Sequence, residues 1–246
     1  MKSVRSKQFS PCLQNLPPSR SITVGFFAFW LTCFSSLSIA KPNEETITQQ
    51  YQVLAPYQSQ IAKRLDSVHP LLDHIFKQLK QRSLPPTFVL LPMLESSYNP
   101  QAVSHANAAG LWQLIPATAT RFGLQVSDTD DERFDTKAST QAALKYLAFL
   151  YEKFDQDLAL TLAAYNAGEG RVSRAMKNAG SRNFDALTLP NETQEYVNRF
   201  YALERLVDVQ QLRTDSFQPL LLFSDQSSIY TKPLIDLSRL PPLVEL

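Results

Sequence analysis

The 246-residue chain has little glycine, almost no cysteine and no surplus of charge. It holds 6 Gly, 2 Cys and a formal net charge of +1 from 24 basic and 23 acidic residues. Six glycines cannot serve the many Gly-dependent turns of a many-stranded barrel or sandwich, so an all-β architecture is excluded. Two cysteines, Cys12 and Cys33, make neither a disulfide-dense scaffold nor a Cys-based four-ligand zinc site. Balanced charge argues against a nucleic-acid binder, which usually carries a basic excess. Only three histidines are present; His69 and His74 stand five apart, the wrong offset for a joint metal site on a helix. With His105 they read as surface residues, and neither metal nor cofactor is expected.

What is present begins with a leader. Lys2, Arg5, Lys7 and Arg20 precede an uncharged stretch from Ser21 to Ala40, apolar around Val24 to Leu31 and closed by Ser38-Ile39-Ala40. This is the layout of a secretory signal peptide spanning residues 1–40. Twenty uncharged residues also approach the length of a membrane span, so an uncleaved anchor is the alternative. Cleavage would remove four cations and both cysteines, taking the formal charge to −3. Trp30, where a small or medium aliphatic residue would be needed, argues against lipidation at Cys33.

The rest of the chain is read as a lead-in segment over 41–69, a mainly α domain over 70–212 and an extended C-terminal tail over 213–246. Leu71, Leu72, Ile75, Phe76 and Leu79 recur at helical spacing, so a helix is expected over 70–80. The run Phe88 to Leu94 is apolar all round, a buried helix rather than a strand because Pro92 would remove a ladder hydrogen bond. A loop from Asn99 gives way to helix around Ala109 to Phe122. Asp135 caps a long helix to about Phe154, and further helices are expected over 158–167, 170–178 and 192–209. The acidic stretch Asp128 to Glu132 lacks the central Gly and terminal Glu of a calcium loop and reads as a solvated turn.

Glu95 ends the apolar run, just before Ser96-Ser97-Tyr98-Asn99-Pro100 breaks the helix. Apolar surroundings and the negative end of a helix both raise a carboxyl pKa, which suits a general acid. On position alone, a Glu at a frayed helix end reaching solvent is an equal reading. The stretch from Glu95 through Ser104, Gly110, Trp112 and Gln113 to Pro116 and Thr118 resembles the catalytic signature of lytic transglycosylases, the family 23 glycoside hydrolases. Ala163-Ala164-Tyr165-Asn166-Ala167-Gly168-Glu169-Gly170-Arg171-Val172 is similar to that family's second signature, and Leu189-Pro190-Asn191-Glu192-Thr193-Gln194-Glu195-Tyr196-Val197 to its third. The three occur in family order across roughly residues 65–210. The opening Leu84-Pro85-Pro86 and Leu90 to Glu95 most resemble the membrane-bound transglycosylase D branch.

The resemblance implies a lysozyme-like α domain with a substrate cleft for peptidoglycan glycan strands. It implies cleavage of the β-1,4 bond between N-acetylmuramic acid and N-acetylglucosamine without water, the muramic C6 hydroxyl attacking its own C1 to leave a 1,6-anhydro end. Glu95 matches the single acid/base. Ser104, Gln113, Tyr165, Asn166, Glu192 and Tyr196 match substrate-binding positions. For Gln113 and Asn166 a buried amide fixing loop geometry is the competing reading, and for Trp112 core packing outweighs sugar stacking. A periplasmic monomer without cofactor follows, with cell-wall or secretion-machinery proteins as further partners. The branch's C-terminal glycan-binding repeats have no counterpart after Phe217. A hydrolytic goose-type lysozyme and a non-catalytic wall-binding module are the alternatives.

Overall fold

The computed structural model describes residues 41–214; the signal-peptide reading of 1–40 and the tail after Thr214 lie outside the described residues. Ten α-helices occur among these residues: α1 (Glu44–Leu54), α2 (Gln58–Ser67), α3 (His69–Gln81), α4 (Leu91–Ser96), α5 (Pro116–Arg121), α6 (Thr136–Lys153), α7 (Leu158–Ala167), α8 (Glu169–Ala179), α9 (Asn191–Leu206) and α10 (Val209–Thr214). Only isolated bridges represent β structure there, joining Val103 to Ala109, Ala109 to Leu114 and Val126 to Asp131.

Among the helices, α1, α6 and α7 start at a side-chain cap. Asp135 accepts from the Ala138 N–H at 2.7 Å to open α6, and Asp157 accepts from Leu160 N–H at 2.9 Å to open α7. Each satisfies one of the donors left orphaned in a first turn. Gly168 (φ +84°) ends α7 and Gly180 (φ +58°) ends α8, in backbone regions that favour glycine. α7 is apolar all round, and Leu160, Leu162, Ala163 and Ala164 are fully buried at the centre of the core. It packs against α6, α8 and α9.

Residues 41–69, read as a lead-in, carry two full helices that belong to the core. Ile47, Leu54, Ile61 and Leu65 are buried. α1 lies along α9, with Thr46 donating to Asn198 at 3.0 Å, Arg199 donating to Gln50 at 3.2 Å, and Arg205 paired with Glu44. The helix expected over 109–122 is corrected: only Pro116–Arg121 is helical. Ala109 to Leu114 instead folds as a tight loop, with positive φ at Gly110 (+80°) and Gln113 (+46°). Tertiary contacts override the local preference here, because Leu111, Trp112 and Leu114 are all drawn into the core. His69 and His74 are also corrected: both are only partly exposed, each with a buried, unpartnered Nε2, while His105 is exposed.

Candidate active site

Glu95 stands on α4, a six-residue helix that follows a 3-10 turn over Pro86–Leu90. Leu90 and Leu91 are fully buried and Met93 nearly so. Two consecutive left-handed residues, Ser97 (φ +50°) and Tyr98 (φ +59°), end the helix at once. Ser97 N–H returns to the Met93 carbonyl at 3.2 Å and Tyr98 N–H to the Pro92 carbonyl at 3.0 Å. Neither residue is glycine, so this turn costs strain that the packing must offset. Tyr98 is 1% exposed, with its hydroxyl donating to the Val89 carbonyl, and Ser96 donates to the Leu111 carbonyl at 2.8 Å. These anchors fix the backbone on either side of Glu95.

The Glu95 carboxyl is held at Oε1 by the Tyr196 hydroxyl, 2.5 Å away on α9. Burial pushes its pKa up to about 7; the Tyr196 hydrogen bond opposes this, and the negative field of Glu192 adds to it. The residue as a whole keeps partial exposure. Tyr165, near the end of α7, donates its hydroxyl to the Trp112 carbonyl at 2.7 Å. Burial first, then the charge of Glu95, holds this phenol and that of Tyr196 well above the ordinary range, so both stay protonated.

Glu192 occupies the first turn of α9, where a carboxylate faces the positive end of the helix. Its pKa is nonetheless raised, chiefly by burial, against a hydrogen bond from Asn166 and the charge of Arg171. Glu95, Tyr165, Asn166, Glu192 and Tyr196 therefore form one electrostatically connected group drawn from α4, α7 and α9. Ser104 and Gln113 are engaged within the 99–115 loop instead. Ser104 Oγ accepts from Ala108 N–H at 3.1 Å, and the Gln113 amide donates to the carbonyls of Gly110 (2.9 Å) and Ala102 (3.1 Å). Those bonds fit the reading of Gln113 as an amide that fixes the loop.

Trp112 packs in the core as its neighbours suggest, whereas Arg133 left no reading in the sequence. Trp112 is fully buried, donates through Nε1 to Thr140 at 3.0 Å, and offers the carbonyl that orients Tyr165. Arg133, 5% exposed, reaches from the following 3-10 turn to the Asn107 carbonyl (2.6 Å) and the Leu114 carbonyl (3.1 Å), while Asp131 neutralises it at 2.6 Å. A lone arginine inside an otherwise acidic run was the available signal. In that run, Asp131 is spent on Arg133 and Glu132 accepts from Gln125 N–H at 2.6 Å. No cluster of three metal-ligating side chains occurs among the described residues. A separate depression of about 530 Å³, lined by Arg82, Tyr151, Glu152 and Asp155 among others, contains none of the site residues.

A carboxyl poised near neutrality beside two protonated phenols, in a helical domain, suits general-acid chemistry. Residues 74–188 match the Transglycosylase SLT domain. The chain is 39% identical over 182 residues to Membrane-bound lytic murein transglycosylase D of Escherichia coli (strain K12), an alignment covering 72% of this chain and 40% of that protein. It is 35% identical over 121 residues to Peptidoglycan transglycosylase gp16 of Escherichia phage T7, covering 49% of this chain and 9% of that protein. Among solved structures, the 70 kDa soluble lytic transglycosylase of Escherichia coli matches at a TM-score of 0.51 and 24% identity, over 65% of this chain and 29% of that one. That likeness speaks for the mainly helical, lysozyme-like fold. The chain spans about two-fifths of the length of the transglycosylase D relative.

Proposed function

We propose that this protein is a lytic transglycosylase of peptidoglycan, cutting the β-1,4 bond between N-acetylmuramic acid and N-acetylglucosamine and leaving a 1,6-anhydro end. The observation that carries the reading is the Glu95 carboxyl, raised to about 7 and bonded at Oε1 to Tyr196 within an SLT domain. With Oε1 engaged, Oε2 holds the working proton. It passes that proton to the glycosidic oxygen as the bond to the muramic C1 breaks. The carboxylate so formed accepts the proton of the C6 hydroxyl as that oxygen bonds to C1, which restores the acid. One residue thus does the work that most glycosidases divide between two carboxyls.

In this reading Tyr165 presents a protonated phenol beside the scissile bond. Ser104, Gln113, Asn166, Glu192 and Tyr196 line a cleft that holds the glycan strand, with residues 70–212 as the catalytic domain. Gln113 and Asn166 orient that lining through their loop and Glu192 bonds. No cofactor takes part. The protein acts in the periplasm as a monomer, delivered there by the leader, with cell-wall or secretion-machinery proteins as partners. No helix among the described residues is long and apolar enough to cross a membrane.

Replacing the acid tests the assignment. Glu95→Gln keeps the shape and accepts from Tyr196, but has no proton to give. Release of soluble fragments from purified peptidoglycan is expected to fall by about 10²-fold or more. Undiminished release would remove Glu95 from the mechanism.

A further inference from the structure

The outer face of α8 carries a row of like charges, of which the helix itself favours only Lys177 in its last turn. Arg171, Arg174 and Lys177 are all exposed, three residues apart, while Val172 and Ala175 turn inward to the core. Like charges at this spacing repel one another, which destabilises the helix slightly. Arg171 also lies in the first turn, the positive end of the helix, where a cation is unfavourable. No acid offsets them from within α8. Its one carboxylate, Glu169, is bonded to Arg121 at 2.5 Å. None of the three cations forms an ion pair among the described residues. The guanidinium of Arg174 lies back over Gly170, its Nη1 3.5 Å from where a Cβ would stand, so two guanidinium-bearing residues gather in the first turns.

At its first turn, through Arg171, this face adjoins the candidate site. α8 follows directly from Gly168, which ends the helix carrying Tyr165 and Asn166, and the charge of Arg171 reaches Glu192. A strand of peptidoglycan is more than sugar: each muramic acid bears, through its lactyl group, a short peptide with free carboxylates. We propose that Arg171, Arg174 and Lys177 form a subsite for those stem-peptide carboxylates, making the protein select glycan strands that still carry their peptides. The inference rests on the peptidoglycan reading above. The cations supply long-range attraction and loose pairing at the surface, so their effect lies in substrate affinity and in its salt dependence.

The test compares two substrates and two proteins. Soluble glycan strands are assayed with their peptides intact and after an amidase has stripped them. The wild-type protein is expected to show a KM for intact strands about threefold to tenfold below that for stripped ones, as two or three exposed ion pairs would give. In Arg174→Gln/Lys177→Gln that ratio should fall toward one, and Arg174→Lys/Lys177→Arg should restore it. A wild-type ratio of one, an unchanged ratio in the Gln variant, or an equal loss on both substrates would overturn the subsite. Failure of the wild type to cleave either substrate would instead overturn the proposed function.

Discussion

At the scale of single residues, Glu95 carries opposing influences whose balance sets its protonation. Burial raises the pKa; the bond from Tyr196 lowers it. Tyr196→Phe removes only the lowering influence, so the Glu95 pKa is expected to rise above about 7. The high-pH limb of the kcat/KM profile should then move to higher pH, and a shift downward would contradict the bonding direction. The same balance affects stability. A carboxyl that titrates near 7 when folded and near 4.5 when unfolded binds more protons in the native state between those values. Stability contributed by the protonated form is therefore complete below about 4.5 and lost as pH rises through 7. Glu95→Gln escapes that loss and is expected to be more stable than wild type at pH 8, by up to about 3 kcal/mol, with little difference at pH 4. Thermal melts at the two pH values measure this.

At the scale of elements, the 99–115 loop shows what sequence could and could not reveal. Its motif residues were legible by type and order, but the loop was expected to become helical from Ala109. What prevents that is a long-range clamp: Arg133 binding the Asn107 and Leu114 carbonyls, and Trp112 buried and bonded to Thr140. Neither contact leaves a periodic trace. Gly110 records the clamp from the other side, since a Cβ there would meet the Arg133 carbonyl oxygen at 1.9 Å. α3, α6, α7 and α8, by contrast, were readable because their own residues supply the apolar period and the stop or cap signals. Arg133→Ala would leave the Asn107 carbonyl without its donor, the Leu114 carbonyl with only the Ala109 N–H, and Asp131 without its cation. The expected cost is about 2–3 kcal/mol in denaturant melts. Unchanged stability would show that the loop holds itself.

At the scale of the whole molecule, the segment before α3 proves part of the fold. Ile47, Leu54 and Ile61 fall seven residues apart, too sparse an apolar stripe to stand out among the Gln and Tyr residues around them. The burial of α1 against α9 is a tertiary fact that periodicity alone does not announce. It also bears on the site, because α9 carries both Glu192 and Tyr196. A chain beginning at His69 would uncover that side of α9. It is expected to lose cooperative unfolding, and an intact thermal transition would contradict the role given to α1 and α2. The overall class was legible early: scarce glycine excluded β architecture, and three motifs in series pointed to the family that residues 74–188 match. The pairing of Glu95 with Tyr196, 101 positions apart, could come only from the fold.

In the proposed cleavage one carboxyl serves twice and water takes no part. Mass spectrometry of the fragments released from purified peptidoglycan tests it directly. Muramic ends formed by attack of the C6 hydroxyl are lighter by one water than hydrolysed ends and lack a reducing group. 1,6-Anhydro-muramic ends are expected as the main product; free reducing muramic acid in their place would contradict the proposed cleavage.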